Sequence, residues 1–183
     1  KAEMRRVAPT LMEATRIVQA RDPNRKVVCM AAPSVAPEVE ALAKAQPFPI
    51  VVVRDEAEKA DAYAAMTVAI ACSGTVTTEL AAQGAAVVTG YKLGWITWAL
   101  LRFFLFKSRF SALVNVAVNR EVIPEFLQTS FSVKNIEQAA ERRLSDPTIL
   151  TAQQEGQREA LRIMAGTGRP AAEIAAETIL KLS

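Results

Sequence analysis

Ser73-Gly74-Thr75, followed by Glu79, is the stretch of this chain best suited to hold a charged ligand. The apolar run Val68 to Cys72 (V-A-I-A-C) leads into it, and a helical pattern opens straight after. A buried strand, a tight turn and a helix N-terminus edged with hydroxyls form an anion site, because uncapped backbone N–H groups and the helix dipole both favour negative charge there. Phosphate is the obvious biological anion. Glu79, one turn into the helix, cannot hold a phosphate itself but can accept hydrogen bonds from a sugar hydroxyl. Turn and acid together point to a nucleotide. The bland reading of Glu79 is a solvated helix residue. Ser73 as a nucleophile lacks both a base and a G-x-S-x-G elbow.

Two further polar groups lie downstream. Asn115, Arg120 and Glu121 form one, and Glu125 and Gln128 the other, threaded through Ile123-Pro124 and Phe126-Leu127. Arg120 suits a phosphate or a carboxylate, and an Arg–Glu surface pair is its alternative reading.

Composition removes several kinds of chemistry. Histidine is absent, which excludes a His base, a Ser-His-Asp triad and His-ligated metal within these residues. A net charge of +3 is too small to argue for nucleic acid. Cys29 and Cys72 give neither a disulfide framework nor a metal spacing and read as small buried core residues, which fits a reducing compartment. With 183 residues, 51% of them hydrophobic, the chain can bury a full core as one domain. It shows no signal-peptide pattern and no Met at position 1, and reads as a fragment of a longer protein.

The elements that position these groups follow from hydrophobic periodicity. Val7, Leu11, Ala14 and Val18 recur at helical spacing, so 2–20 reads as an amphipathic helix. Strands are predicted at 26–31, 50–53, 68–72 and 86–89. Helices are predicted at 37–45, 55–65, 75–83 (ended by Gly84), 132–144, 146–165 and 171–180. Residues 113–119 read as a short strand and loop. Continuously apolar strands alternating with helices argue for an α/β, Rossmann-like parallel sheet covered by helices on both faces, with ligand outside the carboxyl ends of the strands. G-x-G-x-x-G and G-x-x-x-x-G-K-[ST] are both missing, so dinucleotide dehydrogenases and P-loop NTPases lose their main support.

Residues 91–110 stand apart. Of eleven aromatics (two Trp, two Tyr, seven Phe), seven fall here: Tyr91, Trp95, Trp98, Phe103, Phe104, Phe106 and Phe110, with Arg102, Lys107 and Arg109 interleaved. The apolar run is too short for a bilayer span of about 20 residues. A membrane-surface or acyl-chain contact through Trp95, Trp98, Arg102, Phe103, Phe104 and Lys107 is one reading. A helix buried against another domain or subunit is the other.

C-S-G-T-V-T-T-E-L (72–80), V-V-T-G-Y-K (87–92), the aromatic-basic run and N-V-A-V-N-R-E-V-I-P-E-F-L-Q (115–128) together resemble the C-terminal half of the lipid-A-disaccharide synthases, bacterial glycosyltransferases of the two-domain GT-B type. The last motif is the most specific. Val114 stands where the family usually has Pro, Asn119 where it has Gly, and Lys92 where it has Arg.

The resemblance implies inverting transfer of 2,3-diacylglucosamine from its UDP donor to 2,3-diacylglucosamine 1-phosphate, releasing UDP, with no metal or other cofactor required. It implies a single donor-binding domain over 1–183, the last helix (about 171–183) packing on an N-terminal domain. Ser73, Gly74, Thr75, Glu79, Tyr91, Asn115, Arg120, Glu121 and Gln128 would contact the UDP donor, Asn115 and Arg120 stabilising the transition state or leaving group. The general base would lie on the N-terminal domain, leaving the isolated chain inactive, and the enzyme would be peripheral on the inner face of the cytoplasmic membrane. Rival readings are another GT-B UDP-sugar enzyme, of the UDP-N-acetylglucosamine 2-epimerase or lipid II-forming type, and a non-catalytic membrane-surface scaffold.

Overall fold

The computed structural model describes residues 2–72, 74–94 and 109–166. Within them, helices α1 (Ala2–Arg21), α2 (Ala36–Lys44), α3 (Glu56–Ala65), α4 (Thr75–Ala82), α5 (Leu113–Val118), α6 (Val133–Ser145) and α7 (Pro147–Ala165) alternate with strands β1 (Val27–Met30), β2 (Ile50–Val53), β3 (Val68–Ala71), β4 (Ala86–Tyr91) and β5 (Glu125–Leu127). The expected helix at 171–180 lies outside the described residues. Local chemistry sets several boundaries. Asp55, Ser132 and Asp146 each cap the helix that follows through a side-chain oxygen. Gly84, with φ +89°, takes the chain out of α4.

All strand pairs are parallel, as expected for an α/β fold, but they form two sheets rather than one. β1 pairs with β2, and β4 lies between β3 and β5. The three-stranded sheet is covered on both faces. Val68, Ile70 and Val88 pack with Val7, Ala14 and Val18 of α1 and Ile136, Ala139 and Ala140 of α6. Their neighbours Ala69, Ala71 and Val87 pack on the opposite side with Leu80, Ala81, Val114 and Ala160. The period-2 alternation of strand side chains thus divides one apolar run between two cores. Among the described residues the smaller sheet is covered on one face and partly covered on the other, where Val53 is buried and Met30 packs against the core that holds Leu80 and Val87. Cys29 and Val52 pack toward α2, whereas the paired Val28 and Val51 are 38% and 59% exposed. The expectation of parallel strands covered on both faces therefore holds for β3–β4–β5, and for β1–β2 the described residues cover the second face in part.

Two further expectations are corrected. Both cysteines are half-buried rather than deep in the core, and burial pushes the Cys29 thiol pKa up. Residues 113–119 form helix α5, not a strand and loop, and the strand forms instead at Glu125–Leu127. The β-branched run L-V-N-V-A-V favours a strand by propensity. Remote partners decide otherwise, through a carboxylate on β5 at the start of the helix and left-handed Asn119 (φ +51°) at its end.

The outer edge of β4 is finished by side chains. β5 reaches only Thr89 to Tyr91. Below it, Gln157 of α7 accepts from Val87 N–H at 3.2 Å and donates to Ala85 C=O at 2.7 Å, and Gln153 donates to Val87 C=O at 2.7 Å. These two buried amides supply the bonds a neighbouring strand would make. Gly156 lies between them. A Cβ there would meet Val122 Cγ1 at 2.9 Å, so the close approach of α7 to the 119–124 connection depends on glycine.

Candidate functional site

The carboxyl ends of β3, β4 and β5 lie side by side, and the chain leaves each through residues singled out by the sequence. After β3, Gly74 has φ +149° and ψ −167°, a region open in practice only to glycine. Its carbonyl accepts the Thr77 N–H at 3.1 Å and the Thr77 hydroxyl at 2.6 Å, which fixes the first turn of α4. Among the described residues no side chain caps that helix. Thr75 is exposed at its first position. Ser73 lies outside the described residues. The α4 N-terminus is thus built as the strand–turn–helix corner the sequence predicts, with Gly74 and Thr75 exposed.

Glu79 is exposed one turn along α4 and does not stand alone. Buried Tyr63, on α3, donates its hydroxyl to Glu79 Oε1 at 2.8 Å. Sequence reasoning missed Tyr63, because sixteen residues separate it from Glu79 and nothing local marks it.

β4 and β5 end together. The Gln128 N–H donates to Tyr91 C=O at 3.1 Å, and Gln128 Oε1 accepts the Leu93 N–H at 2.8 Å. Gln128 is 6% exposed, with φ +52°, and its Nε2 has no partner among the described residues. Tyr91 is half-buried and packs with the α1–α6 core. Gly74, Thr75, Tyr91 and Gln128 therefore share one end of the sheet.

Asn115, Arg120 and Glu121 are placed differently. Asn115 is fully buried on α5. Its Nδ2 donates to Ile123 C=O and Glu125 Oε1, both at 2.6 Å, and its Oδ1 accepts Val122 and Ile123 N–H, both at 2.8 Å. Both donors and both lone pairs are used inside the protein. Glu125 in turn accepts the Ser111 N–H and hydroxyl and the Ala112 N–H, holding the start of α5 where Ala112 offers no capping side chain. Left-handed Asn119 then turns the chain onto α7, where exposed Arg120 pairs with Glu159. Exposed Glu121 acts electrostatically on Arg143 of α6, whose own pKa is lowered chiefly by desolvation. Arg120 also lies 3.4 Å from a Cβ built on Gly156, and the neighbouring Gln154 bonds the Gly84 carbonyl beyond the far end of α4. The structure therefore sets Arg120 beside α7 and joins it to an acid of that helix.

Trp95, Trp98, Arg102, Phe103, Phe104 and Lys107 lie outside the described residues. Directly after them, the Arg109 guanidinium sits 5.7 Å from the Phe110 ring centroid. No helix of the described residues is long and apolar enough to cross a membrane, and no cluster of His, Cys, Asp or Glu among them could hold a metal ion.

The family model for lipid-A-disaccharide synthetase matches residues 1–179. The chain belongs to the lipid-A-disaccharide synthetase family. Among curated relatives it is 31% identical to the lipid-A-disaccharide synthase of Rhodospirillum centenum over 100% of the chain and 45% of that protein. It is 31% identical to the synthase of Gluconobacter oxydans over 97% of the chain and 43% of that protein. It is 33% identical to the synthase of Paramagnetospirillum magneticum over 92% of the chain and 43% of that protein. The chain thus spans less than half the length of these lipid-A-disaccharide synthases.

Proposed function

We propose that this chain is the donor-nucleotide half of a lipid-A-disaccharide synthase. In this reading it holds the UDP of UDP-2,3-diacylglucosamine while the sugar passes, with inversion, to 2,3-diacylglucosamine 1-phosphate. UDP leaves, and no metal takes part. One observation carries the reading: three adjacent parallel strands end at a helix N-terminus with glycine-only geometry and no side-chain cap among the described residues, and at a buried amide whose Nε2 has no partner among them. That is the place and polarity for a phosphate-bearing ligand in an open parallel sheet.

Gly74, Thr75 and Ser73 take the diphosphate. Glu79, steadied by Tyr63, takes the ribose hydroxyls, and Gln128 donates to an acceptor oxygen of the donor, with Tyr91 beside it. Donors fixed at the departing diphosphate stabilise charge where it develops. Asn115 serves here as a positioning residue. The acceptor's general base belongs to the half of the protein that the chain does not span.

Calorimetric titration with UDP, UMP and ADP tests this. UDP should bind selectively, and Glu79→Ala should weaken it. The isolated chain should bind UDP and show no turnover with both lipid substrates. Absence of nucleotide binding, or measurable turnover by the isolated chain, overturns the proposal.

A further inference from the structure

We infer that Gln128 couples nucleotide binding to the base of the 94–110 segment, with Glu125 as the positioning residue at the other end of that segment. The chain enters the segment from Leu93 and leaves it at Ser111. Leu93 N–H donates to Gln128 Oε1 at 2.8 Å. Ser111 donates its N–H at 2.8 Å and its hydroxyl at 2.6 Å to Glu125 Oε2, and Ala112 N–H donates to Glu125 Oε1 at 3.0 Å. Glu125 on β5 and Gln128 just after it therefore hold the residues that flank the segment on either side. Glu125 is itself held by Asn115 Nδ2 at 2.6 Å.

Two observations make Gln128 more than a brace. Its φ of +52° is a left-handed conformation that costs a non-glycine residue free energy. Its Nε2 is buried without a partner among the described residues, where a buried amide donor is normally paired. The coincidence of a strained backbone and an orphaned donor is characteristic of ligand contacts. Gln128 stands two strands from the end of β3, roughly 10 Å away, a distance an extended nucleoside diphosphate bridges.

The carboxamide is planar, so an acceptor oxygen on Nε2 fixes Oε1 against Leu93 N–H. Nucleotide binding then tightens the root of the segment carrying Trp95, Trp98, Arg102 and Lys107, and by linkage a tightened root favours nucleotide. This rests on the donor-site reading above.

Amide exchange at Leu93, Ser111 and Ala112 in the full-length enzyme, with and without UDP, tests the coupling. UDP should slow exchange at Leu93 in the wild type. Gln128→Glu keeps an acceptor for Leu93 and loses the donor, so ligand-free protection of Leu93 should persist while UDP affinity falls by about tenfold or more. Gln128→Met should lose both, and Glu125→Gln should speed exchange at Ser111 and Ala112. UDP binding with no change at Leu93, or undiminished affinity in Gln128→Glu, overturns the coupling. Failure of the wild type to bind UDP at all overturns the donor reading instead.

Discussion

Truncating Asn115 to Ala leaves Val122 N–H, Ile123 N–H and Ile123 C=O buried without their partner. Stability should fall by about 3–5 kcal/mol, lowering Tm by roughly 10 °C in a chain of this size. Thermal unfolding checks it, and a Tm within a degree or two of wild type would contradict the positioning role. Tyr63→Phe keeps the buried ring and removes one hydrogen bond to exposed Glu79. It should weaken UDP binding about two- to fivefold with little change in Tm, and have no further effect once Glu79 is Ala. Calorimetry on the double-mutant cycle decides this. The Ser-Gly-Thr corner was legible because turn chemistry is local: glycine alone reaches φ +149° there. For Arg120 the pairing with a glutamate is one of two readings, and the partner, Glu159, was not legible because it is thirty-nine residues away.

At the scale of elements, α1 is tied to α6 by charge. Arg25 makes a two-pronged bond to Glu141 at 2.7 and 2.9 Å, and Arg21 lies 2.7 Å from Glu137. The Arg25 hydrogen bond holds the Glu141 carboxyl below the usual carboxylate range, with Arg21 adding to it. A depressed carboxylate stabilises the fold above its unfolded pKa, and the contribution disappears as pH falls through the folded value. Unfolding free energy should therefore decline on the acid side of the usual carboxylate range, and Glu141→Gln should flatten that decline. Denaturant melts across that range measure it. Gly156→Ala should cost about 1–3 kcal/mol by pressing on Val122, read as a shift in denaturant midpoint. Most elements were legible because caps and apolar period agree, as at Ser132 and Asp146. Helix α5 was not, because Glu125, which holds its start, lies on a strand that follows it.

Across the whole molecule, one end of the three-stranded sheet gathers the proposed nucleotide contacts, and Leu93 and Ser111, which flank the aromatic-basic segment, are bonded to Gln128 and Glu125 of the same region. If that segment meets a lipid surface, reversing both Arg102 and Lys107 to Glu should reduce binding of the full-length enzyme to anionic vesicles, each basic residue contributing about 1 kcal/mol. Vesicle sedimentation measures this, and unchanged binding would favour burial against another domain. The parallel α/β class was legible from the alternation of apolar strands with helices. The division into two sheets was not, because strand pairing is set by packing between elements distant in the chain.

Gln153 and Gln157 have a consequence beyond folding. An open strand edge presents a row of unpaired N–H and C=O groups on which another chain can build. Where β5 stops short, α7 lays two amides along that row and leaves Ala85 and Val87 with nothing to offer a neighbour. The same helix that completes the core thus seals this stretch of the β4 edge against templated growth. Gln157→Leu should, beyond its loss of stability, open a route to strand-on-strand assembly at high protein concentration, visible as a rise in light scattering below the melting temperature.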